Sequence, residues 1–304
     1  MKYPIGIQTF EQIIRQGFVY VDKTDMVYSL ATEGKVYFLS RPRRFGKSLL
    51  LSTLRAYFEG KKDLFAGLKI DALEHDWHVH RGFHFDFNGV DFTLPGALHL
   101  KIDGYLHDWE KEFGISPGVD TNLGSRFNRI LQAAAEQTGR GAVVLVDEYD
   151  KPLLDVLDMN PKVLTENREM LKAFYSVFKL ADEYLRFVFL TGVTKFSQVS
   201  VFSGFNQPKD ISMMSKYDAL CGITEAEMHR YFKEPIREMT EMEGCCEEEM
   251  AERLKQRYDG YHFSTRLTDI YNPFSVLNAL DSQRIGNYWF ATGTPTYLIR
   301  LLNH

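Results

Sequence analysis

Three short runs of continuously apolar residues stand out in the first two thirds of the chain. They lie at 36–39, 142–146 and 187–190 and are rich in β-branched and aromatic side chains. Such runs are typical of strands in a parallel sheet that is covered on both faces. Residues 83–87 alternate phenylalanine with polar residues, which predicts a further strand. The spacing of apolar positions predicts helices from about residue 24 and over 48–58, 125–138 and 166–183.

The succession of these elements predicts the fold class and a domain boundary. Strands that alternate with helices indicate an α/β fold, in which helices flank a parallel sheet. Near Gly222 the pattern changes to helices with short connections, over 224–239, 247–257 and 272–280. We therefore predict one α/β domain over 1–220 and a small helical domain over 221–304.

Composition narrows the classes of function. The chain has 304 residues, 44% hydrophobic and 25% charged, so a full core is expected. Its net charge of −5 argues against a protein that binds nucleic acid electrostatically over its whole surface. Arg41, Arg43 and Arg44 nevertheless form a local basic cluster. Three cysteines fit a reducing cytoplasm better than a disulfide framework. With no leader pattern and no apolar run of ~18 residues, we expect neither secretion nor membrane insertion.

The most informative segment follows the first apolar run. Gly46-Lys47-Ser48 opens a helical pattern directly after a strand, which is the setting of a phosphate-binding loop. Gly46 allows the main chain to approach phosphates, Lys47 reaches the terminal phosphates, and the Ser48 hydroxyl can ligate Mg²⁺. Arg41 stands where such loops usually have glycine, and an ordinary strand–loop–helix junction is the alternative. The predicted nucleotide-contacting residues are Arg43, Arg44, Phe45, Gly46, Lys47, Ser48, Leu49 and Thr191.

Two acidic residues end the second apolar run. Asp147 and Glu148 would lie at the carboxyl edge of the sheet, where open α/β folds bind ligands. We expect Asp147 to join Ser48 in organising Mg²⁺, and Glu148 to orient the water that attacks the γ-phosphate. Thr191 ends the next strand and either senses the γ-phosphate or caps the strand. Asp150 either extends the acidic cluster or belongs to a solvated turn with Lys151 and Pro152.

A compact aromatic turn at 257–263 leaves two interpretations of His262 open. Its tyrosines and phenylalanine can pack the helical region against its neighbour, which we favour. In the alternative, His262 faces the nucleotide across a domain interface.

These segments together resemble the AAA-ATPase-like family of bacterial P-loop proteins. The resemblance implies a P-loop NTPase core and a small winged-helix-like domain, with ATP and Mg²⁺ bound by Lys47 and Ser48 and with Asp147 and Glu148 as the acidic pair. Many members continue into a nuclease-like domain of the PD-(D/E)XK type, before which this chain ends. The segments that carry the resemblance are Gly6-Ile7-Gln8, Phe10, residues 20–24, residues 40–48, residues 145–150, Thr191-Gly192, residues 258–261 and residues 271–273.

The leading hypothesis is therefore an ATP-dependent switch that hydrolyses ATP slowly, with Lys47, Asp147 and Glu148 as its catalytic residues. The nucleotide state would set the orientation of the helical domain and of an unidentified protein partner or C-terminal effector domain. The first alternative is a nucleotide-binding regulatory module without hydrolysis. The second is the ATPase portion of a nucleic-acid-processing system, which the acidic net charge disfavours.

Overall fold

The apolar runs pair side by side in one parallel sheet. The computed structural model describes residues 1–116, 121–195, 201–204 and 208–289. Five strands lie in the order β2-β3-β4-β1-β5, all parallel to their neighbours. This arrangement confirms the predicted α/β fold with a parallel sheet flanked by helices. The strands are β1 (Val36–Ser40), β2 (Gly82–Asp86), β3 (Ala142–Asp147), β4 (Leu185–Gly192) and β5 (Lys209–Asp210).

Helices precede, connect and follow these strands. Short 3₁₀ turns lie at 62–65, 69–72, 182–184, 202–204 and 215–217. Among the described residues, no helix combines the length and apolarity that crossing a bilayer requires. The α-helices are α1 (Phe10–Arg15), α2 (Thr24–Glu33), α3 (Lys47–Phe58), α4 (Ala97–Glu112), α5 (Leu123–Thr138), α6 (Lys151–Leu154), α7 (Pro161–Tyr175), α8 (Val177–Leu180), α9 (Glu225–Glu243), α10 (Glu247–Tyr258) and α11 (Pro273–Ser282).

Two apolar clusters cover the two faces of the sheet. Successive strand residues point to opposite faces, so Val144 and Val146 join one cluster while Val143 and Leu145 join the other. The first cluster includes residues of α4, α5 and α7, and the second includes residues of α1, α2 and α3. Burial on both faces explains why the run at 142–146 is continuously apolar.

A third cluster lies among the helices that follow residue 223. It joins α9, α10 and α11 to a two-stranded antiparallel sheet of β6 (Ile223–Thr224) and β7 (Ile270–Tyr271). Tyr3, Val19 and Val21 from the start of the chain pack against the same cluster. The N-terminal segment therefore reaches from the α/β region to the later helices.

Most predicted helices and strands are confirmed to within a few residues, and two differences have physical causes. The predicted helix 166–183 is divided, because α7 ends at Tyr175 and α8 and a 3₁₀ turn follow. Helix α4 is not indicated by apolar periodicity. Its fully buried aliphatic residues are Leu98, Ile102 and Leu106, about one in each turn, which makes a narrower stripe than the usual core-facing helix has.

Candidate functional site

The loop between β1 and α3 has the backbone of an anion-binding loop. Gly46 immediately precedes α3 and has φ of 89°, and Arg44 has φ of 68°. The left-handed value at Gly46 suits glycine, which lacks a Cβ. The first turn of a helix leaves backbone N–H groups without intrahelical acceptors, and these groups attract anions. A helix start preceded by a left-handed glycine is therefore compatible with the phosphate-binding loop that Gly46-Lys47-Ser48 predicts.

The Lys47 side chain contacts both the start of this loop and the turn after β3. Its Nζ donates hydrogen bonds to the carbonyl oxygens of Arg41, at 3.1 Å, and Pro42, at 3.3 Å. The same amine forms an ion pair with Glu148 Oε1 at 3.4 Å. The side chain is only 4% exposed. Lys47 is thus held as a buried cation between the loop carbonyls and one of the predicted catalytic acids.

Asp147 links the phosphate loop to β4. Ser48 Oγ donates to Asp147 Oδ2 at 2.6 Å, and Thr191 Oγ1 donates to Asp147 Oδ1 at 2.7 Å. Asp147 and Thr191 are both buried. A hydroxyl beside a carboxylate supplies the oxygen ligands that Mg²⁺ prefers, so the donor set of Ser48 and Asp147 fits this metal.

The turn after β3 is strongly constrained. Glu148 has φ of 55°, a left-handed value that is uncommon for a residue with a side chain and that often occurs at functional sites. Asp150 is fully buried and accepts hydrogen bonds from the backbone N–H groups of Val193 and Thr194 and from the Thr194 hydroxyl. Burial, followed by the charge of Glu148, raises the pKa of Asp150 to about 6. The alternative of a solvated turn at Asp150 is therefore wrong.

Arg41, at the start of the loop, is buried and not exposed to the cavity. Its guanidinium donates to the carbonyl oxygens of Ser40 at 2.9 Å, Ser212 at 2.7 Å and Tyr217 at 3.1 Å, and it lies 3.9 Å from the ring centre of Phe263. Burial lowers the pKa of Arg41 to about 10. The side chain is 1% exposed, so the expected exposed basic cluster loses this arginine.

The other predicted nucleotide-contacting residues divide between two environments. Arg43, Arg44 and Leu49 line a cavity of about 740 Å³ together with the phosphate loop and Glu148. Phe45 is buried behind the loop, with its ring centre 4.6 Å from that of Tyr261. Phe45, Asp147 and Thr191 are buried beneath the residues that line the cavity, so they can support the site without being exposed to it.

The cavity also includes residues that sequence reasoning missed. Residues 4–8 form part of its wall, although Gly6-Ile7-Gln8 is singled out only by family resemblance. Asp86 is the last residue of β2 and Asn88 follows it by two residues, while Pro273, Phe274 and Leu277 belong to α11. Asp86 ends β2 as Asp147 ends β3, and the two residues are in register on neighbouring strands. An acidic residue at the end of a predicted strand is the sequence signal that could have identified Asp86.

His262 lies apart from the residues that line this cavity. Its Nδ1 is 3.3 Å from the carbonyl oxygen of Thr268 and 3.6 Å from Asp269 Oδ1. The aromatic residues Tyr261 and Phe263 on either side pack against Phe45. The packing interpretation of this turn therefore agrees with the structure.

The parallel sheet flanked by helices defines an α/β protein, and its fold is consistent with a P-loop NTPase. The chain belongs to the AAA-ATPase-like family, whose model carries the description "Predicted AAA-ATPase" and matches residues 4–202. It is also 42% identical over 304 residues to a protein of Azotobacter chroococcum mcd 1 named "Uncharacterized protein in vnfD 5'region". That alignment covers 99% of this chain and 56% of the relative, so the chain spans little more than half of the relative's length. No solved structure gives a significant match.

Proposed function

We propose that the cavity binds ATP with Mg²⁺ and that the protein hydrolyses ATP slowly. The observation that carries this proposal is the convergence of Lys47, Ser48, Asp147 and Glu148 at the start of α3. These groups combine a phosphate-binding cation, a pair of oxygen ligands and an acid that can act on water. Family membership supports the same conclusion.

Each side chain would have a distinct role. The N–H groups at the start of α3 and the Lys47 amine would bind the terminal phosphates, and Ser48 and Asp147 would hold the metal. When bound, Mg²⁺ neutralises charge on the phosphate oxygens. Phosphates that attract Lys47 would release Glu148 from its ion pair, and Glu148 would then orient the attacking water.

The switch part of the proposal rests on contacts between the loop and the later helices. The guanidinium of Arg44 lies 4.2 Å from the ring centre of Phe274, the second residue of α11. Phe45 packs on Tyr261 and Phe263. A change of loop conformation on nucleotide binding would therefore reach 221–304, which we propose as a separate winged-helix-like domain after the domain at 1–220. Residues 290–304 of that range lie outside the described residues.

The Lys47–Glu148 ion pair also favours a second candidate function. While this contact persists, Glu148 is engaged with the lysine and is not placed to activate water. A protein that keeps the pair after nucleotide binding would act as a nucleotide-dependent regulatory module without hydrolysis. Tight ATP binding without phosphate release would select this second function.

Calorimetric binding of ATP with Mg²⁺ and a phosphate-release assay test the proposal. We expect Lys47→Ala to weaken ATP binding by at least about tenfold, because the phosphates lose their principal cation. We expect Glu148→Gln to retain binding and to lower phosphate release by about 100-fold. Lys62→Ala is the matched control, since Lys62 is an exposed lysine close to the end of α3. Unchanged ATP binding by Lys47→Ala would remove the site assignment.

A further inference from the structure

The cavity has a second, apolar end beyond the phosphate loop. Ile5 and Ile7 from the N-terminal segment, Leu49 from α3, and Phe274 and Leu277 from α11 all line it. Each of these side chains remains partly exposed, although the protein buries comparable residues fully elsewhere. Apolar walls with a few polar groups are typical of small-molecule sites, and a volume of about 740 Å³ lies within their usual range. A triphosphate alone would leave this apolar end unused.

The N-terminal wall is preformed. The N–H of Ile7 donates to the carbonyl oxygen of Pro4 at 3.2 Å, and Gly6 has the positive φ of 76° that such a tight turn needs at its third position. The N–H of Phe10 then donates to Ser52 Oγ on α3 at 2.9 Å. The turn is thus attached to the helix that begins at the phosphate loop. A ligand that reaches from the phosphate loop to the apolar end would therefore contact α3 and the N-terminal turn, whose relative positions are fixed by this hydrogen bond.

A polar side chain lies at the apolar end. Gln8 lines the cavity and is exposed, so its carboxamide can meet a ligand there. A carboxamide presents one donor group and one acceptor. This pattern complements the N6 amino group and the N7 of adenine, whereas guanine presents two acceptors, O6 and N7, which an arginine matches better.

We propose that the apolar end binds the purine base of the nucleotide and that Gln8 selects adenine over guanine. This inference rests on the proposed function, because the base can reach the apolar end only as part of a nucleotide whose phosphates lie at Lys47. Ile7 on the N-terminal segment and Leu277 on α11 provide apolar surface for the flat base, next to the Phe274 ring, against which the Arg44 guanidinium packs at 4.2 Å. A bound nucleotide would therefore contact both the N-terminal segment and α11.

Titration calorimetry with three probes tests this site. The probes are ATP, GTP and inorganic tripolyphosphate, each with Mg²⁺, and the variants are Gln8→Arg and Ile7→Ala. We expect the wild-type protein to bind ATP about tenfold more tightly than GTP, and we expect Gln8→Arg to reverse this preference. Ile7→Ala should weaken both nucleotides several-fold. Ile7→Ala should leave the affinity for tripolyphosphate, which has no base, unchanged. For Gln8→Arg the readout is the ATP-to-GTP ratio, because the added cation attracts all three phosphate probes. Gln12→Arg, at an exposed glutamine on α1, is the matched control and should leave the ATP-to-GTP ratio unchanged.

The outcomes separate this inference from the function on which it rests. Equal binding of ATP and GTP by the wild-type protein, or a ratio that Gln8→Arg leaves unchanged, would overturn the base site while the phosphate site stands. A loss of tripolyphosphate binding in Ile7→Ala would also contradict it, because the apolar end would then be required for phosphate binding. If none of the three probes binds the wild-type protein, the proposed function fails as well.

Discussion

Two lysine–glutamate pairs in this protein have the same chemistry and different surroundings. Lys47 lies 3.4 Å from Glu148 beside the large cavity. Lys23 lies 2.5 Å from both carboxylate oxygens of Glu227, where the N-terminal segment meets α9. Both lysines are almost completely buried. The comparison shows how similar ion pairs can serve different purposes.

The Lys23–Glu227 pair, which we call the closed pair, has further hydrogen bonds around it. Glu227 Oε2 also accepts the N–H of Thr224 at 2.9 Å in the capping box of α9, and the N–H of Asp22 donates to the Tyr231 hydroxyl at 3.2 Å. Lys47, by contrast, makes a longer contact to an acid that lines the cavity. The closed pair therefore connects the N-terminal segment to α9. In the pair at the cavity, by contrast, a ligand could replace Glu148 as the partner of Lys47.

Removing each lysine should separate these roles most clearly. We expect Lys23→Met to lower the free energy of unfolding by about 3 kcal/mol, because the Glu227 carboxylate is held in place by the capping box of α9 and would lose its cation there. We expect Lys47→Met to lower it by about 1 kcal/mol or less, since Glu148 can turn toward the cavity and be hydrated. Chemical denaturation followed by circular dichroism measures both values.

The double variant Lys23→Met/Glu227→Gln serves as the control for the closed pair. It removes the unpaired charge and keeps the side-chain acceptor of the capping box, so it should regain most of the lost stability. Equal destabilisation by Lys23→Met and Lys47→Met would contradict the distinction between the two pairs.

Asp150 extends the comparison to a buried acid held by backbone N–H groups. Its pKa of about 6 lies above the ordinary value of 3.8, so the unfolded chain releases this proton at lower pH than the native protein does. Ionisation of Asp150 therefore reduces stability as the pH rises from about 4 to about 6. We expect the stability of the wild-type protein relative to Asp150→Asn to fall by about 2 kcal/mol between pH 4 and pH 7.5.

Denaturation of both proteins at several pH values isolates this contribution, because other titrating groups affect the two proteins alike. Asparagine keeps a side-chain oxygen that can accept from Val193 and Thr194. A constant difference in stability across this pH range would show that Asp150 has an ordinary pKa.

The smallest expected effect concerns Thr191, which contacts Asp147 near the cavity. Thr191→Val removes the hydroxyl that donates to Asp147 Oδ1, while the volume of the side chain is nearly retained. Because such contacts orient a metal ligand, we expect the Mg²⁺ concentration for half-maximal ATP binding to rise about tenfold. Thr165→Val, at an exposed position on α7, is the matched control. An unchanged Mg²⁺ dependence would limit Thr191 to a structural role in β4.

The sheet and the proximity of Lys47, Ser48, Asp147 and Glu148 could be predicted because their signals are local. The run from Val143 to Val146 is apolar because both faces of β3 are covered, and Gly46-Lys47-Ser48 marks the junction of β1 and α3. Since the carboxyl ends of parallel strands share one edge, the proximity of Ser48 and Asp147 also follows from sequence.

The remaining features depend on contacts that are distant in sequence. Arg41 resembles a surface cation in a basic cluster, but one acceptor of its guanidinium, the carbonyl of Tyr217, lies 176 residues further along the chain. The apolar end of the cavity joins residues 4–8 to α11, near the two ends of the described chain. Neither juxtaposition leaves a periodic pattern in the sequence, so apolar spacing and motif spacing do not reveal them.

The burial of Arg41 has a consequence for protein synthesis. A nascent chain that has emerged only as far as β4 contains Lys47, Ser48, Asp147 and Thr191. It lacks the carbonyl groups of Ser212 and Tyr217 and the ring of Phe263, which contact the Arg41 guanidinium. On the ribosome, the nucleotide loop would therefore acquire its final shape only after Phe263 has emerged. Competence to bind a ligand would then arise late in translation.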